Sequence, residues 1–249
     1  CKLVSGGGAG YNKSPPRFSE RKCKRKMMAA ASITTFPATQ ASPLKRRGIM
    51  LVLASPPGGG KTTVSRAIAE QDPQTLISVS ATTRAMRPGE VDGTHYYFVS
   101  RENFEDMIAK GDMLEHALVY NNYLYGTPRA PVEKALSEGR DVLFDIDWQG
   151  NRKLSETAPD DVVSVFLLPP SWQALADRLH GRKQDSEEEI ERRLGKARDE
   201  IAHYSEFDYV IVNNDLGDTI AQVRAILEAE RSRRQRLTDV ADFVARLKP

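Results

Sequence analysis

Cysteine is nearly absent from this chain of 249 residues: there are two, Cys1 and Cys23, and both fall in the first tenth of the sequence. Everything downstream lacks a thiol, which excludes a disulfide framework and any cysteine-based metal site there. It also suits a reducing compartment, and a cytoplasmic location is the expectation. No run of 18 apolar residues occurs, so no segment has the length and apolarity of a membrane-spanning helix, and no membrane partner is expected. A surplus of positive charge is missing as well, although the formal net charge of +2 hides this. Residues 1 to 49 hold 11 of the 36 lysines and arginines against a single acidic residue, Glu20, leaving 25 basic against 33 acidic residues beyond them. An acidic body argues against a general nucleic-acid-binding face, so any basic cluster within it reads as a local anion site.

The most informative stretch is Ala54-Ser55-Pro56-Pro57-Gly58-Gly59-Gly60-Lys61-Thr62-Thr63. The apolar run Ile49 to Ala54 enters it and a helix-like stretch, Val64 to Glu70, leaves it. A strand that ends in a glycine-rich turn and opens into a helix aims backbone N–H groups and the positive end of the helix dipole at one spot, which suits a polyphosphate. Lys61 then reaches the β and γ phosphates, and the Thr62 hydroxyl ligates Mg²⁺. Ser55 stands where the usual phosphate-loop pattern G-x-x-x-x-G-K-[ST] has its first glycine, and Pro57 supplies no N–H. The donors expected to form the cradle are therefore the N–H groups of Gly58, Gly60, Lys61, Thr62 and Thr63. A turn that binds nothing is the alternative, and the flanking strand and helix argue against it.

Short continuous apolar runs recur along the chain: Ile49 to Ala54, Val142 to Phe144, Val162 to Leu168 and Tyr209 to Val212. Helix-like stretches separate them, which predicts an α/β fold with a parallel sheet covered by helices on both faces. Between about Ser78 and Thr127 the pattern alternates instead, as in His95-Tyr96-Tyr97-Phe98-Val99, and predicts a small insert made largely of strands. A densely charged interval from Arg178 to about His203 holds Ser186 and Glu189 at capping-box spacing. The expected organisation is a disordered basic extension over 1–47, a core over 48–81, 128–177 and 204–249, an insert over 82–127 and a lid over 178–203. The extension opens on Cys rather than Met, and translation is expected to start near Met27-Met28; an organelle transit peptide or a nucleic-acid-binding tail is the alternative. Toward the end, an amphipathic helix is expected over Asp218 to Glu230. Beyond it Leu237, Val240, Phe243, Val244 and Leu247 recur at helical spacing, a stripe expected to pack on the core or on a second subunit, so a homo-oligomer is left open.

A phosphate loop says nothing of the acceptor. Arg84 and Arg87 stand three apart in Ser78-Val79-Ser80-Ala81-Thr82-Thr83-Arg84-Ala85-Met86-Arg87-Pro88-Gly89-Glu90, close enough for both guanidinium forks to converge on one phosphate. Solvated surface arginines are the plain alternative. Tyr96 and Tyr125 offer hydroxyl donors nearby. Three segments together resemble the guanylate kinase family: Ser78 to Phe98, Asp145-Ile146-Asp147-Trp148-Gln149-Gly150, and Arg178-Leu179-His180-Gly181-Arg182 followed by Arg192-Arg193-Leu194. The resemblance covers about Ile49 to Glu230.

The resemblance implies a P-loop NTPase core with a small, mostly β GMP-binding insert and a helical lid, and Mg²⁺-dependent phosphoryl transfer from ATP to GMP in purine metabolism. ATP would occupy Ser55, Pro56, Pro57, Gly58, Gly59, Gly60, Lys61, Thr62 and Thr63, with Asn213 at a position that contacts adenine in relatives. Arg84, Arg87, Tyr96 and Tyr125 would hold the GMP phosphate. Ser80, Glu115 and Thr127 would face guanine, with Asp147 reaching toward it. A carboxylate at Glu115 accepts from guanine N1–H and the 2-amino group, a donor pair that adenine lacks. Asp145 would join Thr62 at the Mg²⁺ site, and a helix N-cap is the other reading of either aspartate. Lys61, Arg84, Arg182 and Arg193 would carry transition-state charge, with no general base needed. A kinase of sugar phosphates and a non-catalytic binding module are the competing readings.

Overall fold

The computed structural model describes residues 44–119, 122–181 and 186–247. The proposed basic extension, apart from its last residues, lies outside them. Nine strands and eight α-helices occupy the described residues.

A five-stranded, fully parallel sheet forms the centre, in the order β2 (Thr75–Ile77), β7 (Asp141–Asp145), β1 (Met50–Ala54), β8 (Val162–Leu168), β9 (Tyr209–Val212). The sequence of β1 is apolar at every position because both faces of the sheet are covered. Leu51 and Leu53 point into one core with Val64 and Ile68 of α1 (Lys61–Gln71) and Val223 and Leu227 of α7 (Leu216–Arg231). Met50, Val52 and Ala54 point the other way, onto Val132 and Leu136 of α3 (Arg129–Ser137) and Leu154 of α4 (Trp148–Thr157). Truncating such a side chain, for example Leu51→Ala, costs about 2–5 kcal/mol through lost burial and the cavity left behind.

The register sets the position of the site. Leu53 of β1 lies opposite Asp145 of β7, so the carboxyl ends of the two central strands finish side by side and the loops that leave them meet. In an open parallel sheet this is the edge where a crevice forms.

A second, four-stranded sheet has the order β4 (Tyr97–Phe98), β3 (Ala81–Thr82), β6 (Tyr123–Pro128), β5 (Met113–Val119). It is mixed: β3 pairs parallel with β4 and antiparallel with β6, which pairs antiparallel with β5. Phe104 of α2 (Arg101–Ala109) fills its core against Ala81, Met113 and Leu124. Two further helices, α5 (Trp172–His180) and α6 (Glu187–Ile201), follow β8, and α8 (Val240–Leu247) closes the described chain. The capping expectation at α6 has its counterpart in the Ser186 hydroxyl, which accepts from the Glu189 N–H at 3.3 Å. Of the apolar stripe expected to pack on the core or on a second subunit, α8 buries none of its side chains in this chain, and Val244 and Leu247 stay exposed.

Candidate active site

The turn between β1 and α1 is built by glycines that nothing else replaces. Gly58 and Gly60 have φ of 84° and 99°, in the left-handed region. A Cβ on Gly60 would collide with the Asn213 amide, and one on Gly59 would collide with Ser55. Ser55, in the place of the usual first glycine, is buried and fills the space that Gly59 leaves open. Gly60 caps α1 with no side-chain acceptor, so the first N–H groups of the helix open toward the crevice. One expected donor is otherwise engaged: the Thr63 N–H closes the first turn onto the Gly60 carbonyl at 3.1 Å. Gly59 likewise donates to the Pro56 carbonyl at 2.8 Å, which tightens the turn.

Lys61, Thr62 and Asp145 meet across this turn. The Lys61 ammonium lies 2.9 Å from Asp145 Oδ1 and donates to the Ile146 carbonyl at 3.0 Å. Thr62 Oγ1 donates to Asp145 Oδ2 at 3.0 Å. Asp147, two residues on, caps α4 by accepting from the N–H groups of Gln149 and Gly150, both at 3.1 Å. These residues, with Ser55 through Gly58, Gly60, Lys196 and Glu200, line a cleft of about 370 Å³. Thr63 lines it as well. Lys196 and Glu200 come from α6 and pair at 3.2 Å. Burial pushes the Glu200 carboxyl up, and the positive charges of Lys196 and Lys61 pull it back.

Asn213, just past β9, is buried, and its side chain is fully engaged. Its Nδ2 donates to the Gly59 carbonyl at 2.8 Å and its Oδ1 accepts from Thr219 Oγ1 at 3.0 Å. It thus bolts the glycine turn to α7 while lining a neighbouring cavity of about 310 Å³ with Gly58, Gly60, Thr63 and Arg178. On α6, Arg193 Nε donates to Glu189 Oε1 at 2.8 Å. Arg182 lies outside the described residues.

The second cluster sits on the small sheet. Arg84 is buried, and its Nε donates to the Tyr125 hydroxyl at 3.3 Å. Tyr96 packs edge-on against Tyr125 with 5.9 Å between centroids, and the Arg84 guanidinium lies 5.4 Å from the Tyr96 ring. The fork of Arg84 is not open, contrary to expectation. It is taken by Glu90, with NH2 to Oε1 at 2.7 Å and NH1 to Oε2 at 3.0 Å, while NH1 also donates to the Ala85 carbonyl at 2.6 Å. Glu90 accepts from the Arg87 N–H at 2.7 Å too. Glu90 closes the turn that holds Arg87, whose exposed guanidinium donates no hydrogen bond among the described residues.

Glu115 of β5 and Thr127 of β6 are paired in the ladder, and Thr127 Oγ1 donates to Glu115 Oε1 at 2.8 Å. Thr127 is buried and Glu115 half-buried. Burial raises the Glu115 carboxyl above its ordinary range, partly offset by the Thr127 hydroxyl and Lys153 and reinforced by Asp147. Ser80 is half-buried where the chain enters β3, its carbonyl accepting from the Tyr97 N–H at 2.9 Å.

Two anion-suited clusters on one parallel-sheet scaffold call for a family with both. The family model described as "Guanylate kinase" matches residues 47–230. A guanylate kinase of Paramagnetospirillum magneticum is 56% identical over 205 residues, 82% of this chain and 95% of the relative. One of Rhodopseudomonas palustris is 57% identical over 203 residues, 82% of this chain and 92% of the relative. The chain belongs to the guanylate kinase family. Among solved structures, the crystal structure of guanylate kinase from Anaplasma phagocytophilum superposes with a TM-score of 0.62 at 38% identity, covering 80% of this chain and 94% of that one.

For a guanylate kinase family member, sequence reasoning passed over three features of the site. Glu90 was in view within the R-x-x-R-P-G-E segment, and its carboxylate, three residues from one arginine and six from the other, was the available signal. Lys196 and Glu200 were submerged in the densely charged interval from Arg178 to about His203, where nothing in the sequence sets them apart. The Ile146 carbonyl carries no sequence signal at all.

Proposed function

We propose that the chain transfers the γ-phosphoryl group of ATP to GMP, giving ADP and GDP, with the glycine turn holding the donor and the small sheet holding the acceptor. The observation that carries this reading is the pairing of two distinct recognition clusters. A Lys61–Thr62–Asp145 constellation stands at the carboxyl end of the central strands, and an Arg84–Tyr125–Tyr96 cluster shares the second sheet with a half-buried Glu115. The donor end suits any nucleoside triphosphate; the acceptor end suits a phosphate plus a base edge with two adjacent donors.

Oxygen donors from Thr62 and Asp145 fit a hard divalent cation such as Mg²⁺, which, bound with ATP, neutralises charge on the β and γ phosphates. The remaining work is positioning. Lys61 exchanges the Asp145 carboxylate for phosphate oxygens. The free N–H groups of Gly58, Gly60, Lys61 and Thr62 cradle the chain of phosphates. Arg87, with the single uncommitted N–H of Arg84 and the hydroxyls of Tyr96 and Tyr125, orients the GMP phosphate for in-line attack. Glu115 and Thr127, with Ser80 and Asp147 nearby, read the guanine edge. Arg182 and Arg193 add charge from the lid side, and Asn213 fixes the glycine turn beside the adenine position.

A coupled assay of ADP formation with ATP as donor tests the reading. Turnover with GMP, and background rates with AMP and ribose 5-phosphate, is the expected outcome. Preference for the sugar phosphate, or no turnover with any acceptor, overturns it.

A further inference from the structure

The wall assigned to guanine holds two carboxylates, Glu115 and Asp147, and one nearby cation that phosphoryl transfer does not use, Lys153. It lies on α4, one turn and a half beyond the Asp147 cap, where that helix packs on β5. Its ammonium is half-buried and donates to the backbone carbonyl of His116, the residue after Glu115. A lysine pointed at a strand interior rather than at water gives up hydration, and such a placement needs a negative partner to offset it. Here the partner is the partly negative His116 carbonyl, on the strand that also carries Glu115.

We propose that Lys153 is a positioning residue for guanine recognition: through its bond to the His116 carbonyl it pins β5 to α4 and brings a positive charge to the strand that carries Glu115, whose ionised form is the one that accepts two N–H groups. The inference rests on the reading of Glu115 as the guanine-facing carboxylate. Its chemistry is direct. A protonated carboxyl presents an O–H where guanine N1–H or the 2-amino group also presents a donor, so one of the two hydrogen bonds becomes a clash. The groups acting on Glu115 come from each element around it. From α4 and its cap come Lys153, favouring the charged form, and Asp147, opposing it; from β6 come the Thr127 hydroxyl and backbone, both favouring it. Burial opposes ionisation most strongly of all. His116 is held toward its neutral form by burial and by Lys153, so it does not substitute for the lysine.

The experiment compares the full chain with its Lys153→Met and Lys153→Arg variants, measuring kcat and KM for GMP from pH 5.5 to 8.5. A parallel series in a His116→Asn background keeps imidazole titration out of the profile. The GMP phosphate titrates identically in every variant, so the ratio of variant KM to wild-type KM isolates Glu115. That ratio is expected to stay near one at pH 8.5 and to rise steadily toward pH 5.5 for Lys153→Met, since losing the cation leaves burial and Asp147 less opposed and the Glu115 carboxyl takes up its proton at higher pH than in the wild type. KM for GMP should change more than kcat, KM for ATP should hold, and Lys153→Arg should restore the wild-type profile. A ratio that is flat with pH, or an equal rise in KM for ATP, overturns the proposal and leaves Lys153 a packing residue. Glu115→Gln in the same assay separates the two levels. A large, pH-independent rise in KM for GMP upholds the guanine assignment, whereas no rise defeats that assignment and the role of Lys153 with it.

Discussion

At Lys61 a single ammonium is shared between the carboxylate of Asp145, the last residue of β7, and the carbonyl of Ile146, the first residue after it. The contact keeps the lysine extended over the glycine turn before any phosphate arrives, so little rotamer freedom remains to be lost on binding. Removing it takes away charge where it develops in the reaction and leaves the second sheet untouched. Lys61→Ala should therefore lower kcat/KM by at least about a thousandfold, roughly 4 kcal/mol of transition-state stabilisation. Its affinity for GMP, measured by calorimetric titration, should stay within about threefold of the wild type. Near-normal turnover in that variant would remove Lys61 from the mechanism. Residue identities at this scale were legible because the motif fixes spacing. Partnerships were not: R-x-x-R announces two forks, but only the structure shows that Glu90 fills the fork of Arg84, while the guanidinium of Arg87 donates no hydrogen bond among the described residues.

Elements are held from the end of the sheet opposite the glycine turn by a buried ionic junction. Asp141, the fully buried first residue of β7, accepts from Arg46 at 2.6 and 3.0 Å, from Arg231 Nε at 2.7 Å and from the Ile49 N–H at 2.9 Å. Arg231, the last residue of α7, also pairs with Asp72, which caps α1. The segment before β1 and the end of α7 thus converge on one carboxylate at the start of β7, and its removal leaves Arg46 without a carboxylate and Arg231 with Asp72 alone, in a poorly hydrated place. Asp141→Ala should lower the unfolding free energy by about 3–5 kcal/mol, read from urea denaturation. A loss under about 1 kcal/mol would show the junction to be incidental. The long apolar strands were legible to within a residue at each end, because their apolar runs are nearly unbroken, with Ser164 the one polar residue inside β8. The three-residue β2 was not, since Thr75–Ile77 is too short to carry a pattern. Nor was the fate of the C-terminal stripe: its 3.6 periodicity is present in α8, but periodicity specifies a face without specifying what covers it.

Among the described residues, carboxylates held below their ordinary range outnumber those raised above it. Glu189 is brought down to about 2 by Arg192 and then Arg193. Glu206 is lowered by Arg152 and then His203, and Glu90 by Arg84 and then the Arg87 N–H. Asp72 is pushed up by burial but held below its ordinary value by Arg231, the Gln74 N–H and Thr75 together. A carboxylate with a depressed folded pKa contributes stability above its unfolded pKa and loses it as pH falls through the folded one. Stability should therefore drop as pH falls from about 4.5 toward about 2. Glu115 and Glu200, raised by burial, contribute an opposing slope above that window. A melting temperature independent of pH below 4.5 would contradict this balance. The layered architecture was legible at this scale from the alternation of apolar runs and helices, while the mixed pairing of the small sheet, with β3 parallel to β4, was invisible to alternation alone. The account as a whole stands on Glu115 reading the acceptor base. The most direct test is the ratio of kcat/KM for GMP to that for AMP in the wild type and in Glu115→Ala. The ratio should fall by at least about a hundredfold on substitution, in line with the discrimination that hydrogen-bonded base readers achieve; an unchanged ratio would contradict it.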